Sequence, residues 1–70
     1  MKQIVKNAIT ETIGEVVYAH IDGPYMADGI KGCPMGRGSS VESAVKDLVR
    51  RVEIESKVTI VPTIFHKKEG

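Results

Sequence analysis

From Val41 onward the apolar residues fall at Val41, Ala44, Val45, Leu48, Val49 and Val52. The spacing i, i+3, i+4, i+7, i+8 and i+11 lays a single stripe along one side of a helix. Glu42, Lys46, Asp47, Arg50 and Arg51 occupy the other side. Most of the stripe is valine, a poor helix former on its own, so this helix depends on what it packs against. The remaining apolar segments are β-branched, and a sheet is the surface they can supply.

The helix start is marked twice. Ser39 and Glu42 spell the S-x-x-E capping box, and Ser40 offers an N-cap one residue later; either hydroxyl would accept from an orphan backbone N–H. Glu42 near the start and Arg50 and Arg51 near the end suit the helix dipole. The pattern predicts a helix over about 40–53.

Upstream, residues 3–12 have an apolar spacing that a helix would also permit, but Ile4, Val5, Ile9, Thr10 and Thr12 favour a strand. Gly14 and Glu15 read as a turn. Residues 15–21, "EVVYAHI", alternate: Val16, Tyr18 and His20 point one way, Val17, Ala19 and Ile21 the other. "DGP" at 22–24 breaks the chain, because Asp and Gly tolerate left-handed geometry and Pro fixes φ. Residues 25–27 are expected to add a short strand before a loop containing Gly29, Gly32, Gly36 and Gly38. Downstream, residues 57–65 are β-branched, and Pro62 restricts them to an edge strand or to two short pieces. Residues 66–70, "HKKEG", read as a frayed polar tail. The order β-β-β-α-β predicts a single α+β domain over 1–70, a small antiparallel sheet with one amphipathic helix on one face.

Length and charge narrow the function. A chain of 70 residues buries only about 60% of its unfolded surface, so a partner subunit is a natural supplement to its core. Ten Lys plus Arg against nine Asp plus Glu argue against a dedicated nucleic-acid or membrane surface. Cys33 is the only cysteine, which excludes an intrachain disulfide and a cysteine-based zinc site within one chain. With no signal-peptide core and no apolar span of about 20 residues, the expected location is cytoplasmic.

The glycine-rich stretch "GCPMGRGSS" has a superficial likeness to a phosphate-binding loop. The Walker pattern needs four residues between its first Gly and Gly-Lys-Ser/Thr; here Gly32 and Gly36 enclose three, the basic residue is Arg37, and Gly38 intervenes. The dinucleotide fingerprint fails too, because no βαβ unit follows. What survives is a candidate anion or partner contact at Arg37, Gly38 and Ser39, with Arg50 and Arg51 on the helix. The simpler reading is a hinge between sheet and helix.

Other constellations are thinner. Cys33 would be reactive if Lys31 and Arg37 lowered its pKa, but no His or acid completes a nucleophile arrangement. His20, Asp22, Asp28 and His66 are suitable metal ligands without a compact motif, so neither metal nor cofactor is expected. Lys46, Arg50 and Arg51, and the group Lys57, Lys67 and Lys68, would serve a nucleic acid, yet only Tyr18, Tyr25 and Phe65 are available to stack bases. Solvated charge is the simpler account. Tyr18, Val58, Ile60, Ile64 and Phe65 suggest association, since pairing an unpaired sheet edge with a second copy is a common remedy; a homodimer is expected.

Residues 22–48, "DGPYMADGIKGCPMGRGSSVESAVKDL", resemble the N-terminal, partially degraded RNase-H-like domain of the HicB-like antitoxin family. Tyr25, then Gly32 and Cys33, then Gly38, Ser39 and Ser40, then Glu42 and Ala44 follow the family's order, with Lys31 where the family usually has proline. The resemblance implies a β-β-β-α-β fold, self-association, and the binding and neutralising of a small toxin ribonuclease. No helix-turn-helix or ribbon segment accompanies it, so operator binding is not implied. The expectation is a non-enzymatic interaction protein. The alternatives are a phage or prophage regulator that occludes a host complex, and a small nucleic-acid-binding module.

Overall fold

A computed structural model describes residues 3–22, Ile30 and residues 34–67. Along the chain come β1 (Gln3–Ile13), β2 (Val16–Ile21), β3 (Met35–Gly38), α1 (Val41–Ser56) and β4 (Thr59–Lys67). The strands form one sheet in the order β3-β2-β1-β4, with α1 packed on one face. The α+β class and the β-β-β-α-β order expected from the sequence are what the chain adopts.

The sheet is mixed where the sequence suggested purely antiparallel pairing. β1 pairs antiparallel with β2, and β2 with β3, so β3 runs in the same direction as β1. The helix then carries the chain back over the sheet, and β4 starts again in that direction at the far edge. It therefore lies parallel to β1, from Gln3 opposite Thr59 to Glu11 opposite Lys67.

Each side of the sheet follows from the two-residue period. Val17, Ala19 and Ile21 of β2, Ala8 and Thr10 of β1, and Ile60 of β4 are buried against Ala44, Val45, Leu48 and Val52 of α1, and Ile30 and Val58 complete the cluster. The turn at Gly14 has φ +62°, the left-handed region that glycine enters at least cost.

The expected hinge turns out to be a strand. Residues 35–38, "MGRG", form β3, while the strand expected at 25–27 lies outside the described residues. β3 has no β-branched residue to announce it. Its glycines face the helix: a Cβ on Gly36 would stand 2.3 Å from both Ala44 O and Leu48 N, and one on Gly38 would stand 2.5 Å from Ser43 Cβ. The helix thus rests on bare strand backbone.

Against the expected 40–53, the helix begins one residue later, at Val41, and ends three residues further on, at Ser56. Ser40 is the N-cap, its Oγ accepting from the Ser43 N–H at 3.2 Å, so the cap uses the later of the two serines and the Ser39–Glu42 box is not the one formed. At the other end the helix runs on to Ser56, which leaves Arg50 and Arg51 short of the last turn and without the dipole role expected of them. Lys57 closes it in the left-handed conformation (φ 57°, ψ 36°), its N–H donating to Glu53 O at 3.0 Å.

β4 is a continuous edge strand; Pro62 neither divides it nor ends it. The expected tail contributes its first two residues, His66 and Lys67, to this strand, and residues 68–70 lie outside the described set. Thr10, fully buried, ties β4 to β1: its Oγ1 donates to Phe65 O at 3.3 Å and lies 2.9 Å from His66 Nδ1.

Candidate partner-binding surface

The side of the sheet away from α1 has no element over it among the described residues. The pairing registers place Val5, Ile9 and Ile13 of β1, Val16 and Tyr18 of β2, Met35 and Arg37 of β3, and Val61 and Phe65 of β4 on this side. Val5 (73% exposed), Ile13, Val16, Met35, Val61 and Phe65 are all substantially open to solvent there. A soluble monomer scatters exposed apolar side chains singly, whereas these share one face, which is how an interaction surface is built.

The five candidate contact residues lie around the β3 edge of the sheet, where that face meets the side of α1. Tyr18, Met35, Arg37 and Arg51 line a groove of about 300 Å³. Tyr18 and Arg37 continue into a second groove with Glu15, Val16, Gly38 and Ser39. Arg51 continues into a third along the helix with Asp47, Arg50, Ile54 and Glu55. Arg37, Gly38, Ser39, Arg50 and Arg51 therefore lie on one strip around the β3 edge, although Gly38 serves the helix contact. Tyr18 stands opposite Arg37 in the β2–β3 register, so a ring and a guanidinium share one face.

Asp47 organises this edge. Its Oδ2 accepts from the Arg37 backbone N–H at 3.0 Å and from Arg51 Nε at 3.1 Å. The first bond satisfies an outward amide of an edge strand, and the second holds Arg51 beside the groove as an i,i+4 ion pair. The Arg37 N–H foremost, and then Arg51, hold the Asp47 carboxyl below the ordinary aspartate range, against a smaller opposing effect of burial. The sequence reading assigned Asp47 only to the solvated side of the helix. Its spacing from Arg51 was the available signal; its bond to β3 depends on a strand that the sequence did not announce.

Other candidates disperse. His20 lies on the open face and His66 on the helix side, so the sheet separates them; Asp28 and Cys33 lie outside the described residues, as does Tyr25. Among the described residues no three His, Cys, Asp or Glu side chains converge as a metal site. Of the residues expected to drive association, Val58 and Ile60 are in the core, while Tyr18 is half-buried and Ile64 and Phe65 are exposed. No described helix is long and apolar enough to cross a membrane.

No protein-family model, curated protein or solved structure matches this chain.

Proposed function

We propose that this chain is a non-enzymatic interaction protein of the HicB-like antitoxin type, which binds a small toxin ribonuclease and masks its surface. The observation that carries the reading is the open sheet face, where Val5, Ile13, Val16, Met35, Val61 and Phe65 stand exposed together. The likeness of residues 22–48 to HicB-like sequences supports the choice of partner. Arg37 and Arg51, at the rim of the apolar patch, fit the usual arrangement of a dry centre with polar surroundings. The test is rescue from the toxicity of, and copurification with, a small basic toxin ribonuclease of the HicA-like type, in the wild type and in Val5→Asp and Met35→Asp. Rescue that is lost in both variants, with circular dichroism unchanged, supports the reading. A wild type that neither binds nor rescues overturns it, and rescue that persists in both variants removes the open face from the interface.

One observation favours a second reading, a nucleic-acid-binding module: Tyr18, Arg37 and Arg51 line the same groove, and rings beside guanidiniums stack and neutralise single strands. Counterion release then requires affinity that falls steeply with salt. Absence of an electrophoretic shift with single-stranded RNA and DNA at low salt rejects it.

A further inference from the structure

The two edges of the sheet are unlike. β3 is four residues long and has the Arg37 N–H occupied by Asp47. β4 is nine residues long, and it exposes apolar side chains on both of its faces: Val61 (46%) and Phe65 (50%) on the open side, Ile64 (44%) on the helix side. We infer that β4 pairs antiparallel with β4 of a second copy about a twofold axis through Thr63. This rests on the sheet edge and not on the toxin reading, which uses the open face.

The strand's own sequence selects the register. A proline inside a sheet belongs on an edge strand with its nitrogen facing outward. Alternation then turns the backbone groups of Ile60, Ile64 and His66 outward as well. Outward residues must meet outward residues, so a twofold axis can pass only through a residue. Through Pro62, two prolines would face each other with no donor between them. Through Ile64, the apolar Val61 would meet Lys67 of the partner copy. Through Thr63, Val61 meets Phe65 and Pro62 meets Ile64. Ile60 then meets His66, Thr59 meets Lys67, and all of Thr59–Lys67 is paired. This register brings the exposed apolar residues together, as favourable cross-strand pairs do, and sets no like charges opposite each other. Only Pro62 fails to donate, leaving one bond unmade in each half.

The strip is roughly 30 Å long and 10 Å high on each copy, so about 600 Å² is covered in all. That is less than a stable dimer buries, so the pairing is weak and transient, populated only at high concentration. Sedimentation equilibrium is expected to show a concentration-dependent shift from 7.6 kDa toward twice that mass, abolished by Ile64→Lys with the circular dichroism spectrum retained. Register is read by disulfide trapping in a Cys33→Ser background. Thr63→Cys places two cysteines across the axis, within bridging distance, and should oxidise to dimer roughly tenfold faster than Val61→Cys, whose copies would be about 13 Å apart. A chain that stays monomeric to millimolar concentration, a dimer that survives Ile64→Lys, or Thr63→Cys no faster than Val61→Cys each overturns the proposal.

Discussion

Replacing Gly36 with alanine adds one methyl group where the structure has room for none. The new Cβ would lie 2.3 Å from Ala44 O and Leu48 N and 2.8 Å from Leu48 Cα, all backbone atoms, so no side chain can turn aside to relieve it. Ordinary contact begins near 3.4 Å, so α1 must rise from β3 by about 1.1 Å. Ala44, Leu48 and Val52 sit at 0% exposure on the buried side of that helix, and a gap of about 1 Å forfeits between a quarter and a half of a contact's dispersion energy. Overpacking alone costs about 1–3 kcal/mol, and the loosened Leu48 adds to it, so the expected loss is about 3 kcal/mol or more. A domain of this length has roughly 3.5–10 kcal/mol in total. Urea unfolding followed by far-UV circular dichroism, with a slope of about 1 kcal/mol/M, should show the midpoint falling by about 3 M or the transition vanishing. Gly14→Ala is the comparison: at φ +62° with open space around it, it should lose only about 1 kcal/mol. Gly38→Ala, facing Ser43 Cβ at 2.5 Å, should fall between them. If Gly36→Ala unfolds no more easily than Gly14→Ala, the close helix–strand contact is wrong.

Three further expectations follow from the ends of α1 and the β3 edge. Ser40→Ala should cost about 1 kcal/mol in thermal or urea unfolding, while Ser39→Ala should change little, because only Ser40 accepts from the first turn; equal losses would contradict the cap. Lys57→Gly should stabilise by about 0.5–1 kcal/mol in the same assay, since a left-handed C-cap penalises a Cβ more than glycine's extra unfolded-state freedom does. Asp47, whose carboxyl is held below the ordinary aspartate range, should stabilise the fold at neutral pH, and that contribution should disappear as acid takes the pH below the ordinary aspartate value and through the lowered one. The stabilities of wild type and Asp47→Asn, compared across pH 2–7, should therefore converge in acid; a difference that grows in acid would contradict the assignment.

The features legible in the sequence were those with long periodicity. Val41 to Val52 repeat for three turns, and residues 16–21 alternate without a break, so neither needed its neighbours to be read. β3 was illegible for the opposite reason. Nothing in "MGRG" prefers extended backbone, and its strand character comes from the pairing with β2 and the helix that presses on Gly36 and Gly38. The parallel placement of β4 was hidden in the same way, because it depends on where the crossover lands and not on any residue of the strand. Arg37, Arg50 and Arg51 are grouped from the sequence as one candidate contact on charge alone. That they occupy one strip, and that Asp47 orders it, required β3 to lie against α1.

Asp47 also bears on how large an assembly this sheet can make. A sheet open at both edges can recruit one copy after another and grow without limit. Here, among the described residues, the β3 margin is four residues long and has its Arg37 amide held by a carboxylate from its own helix, so the nine-residue β4 margin is the better template for another strand. An association through that margin would use it up in both copies and turn the two short β3 margins outward. By holding that amide, a single acidic side chain on the helix makes the β3 margin the poorer template for strand addition, which would favour a pair over a filament.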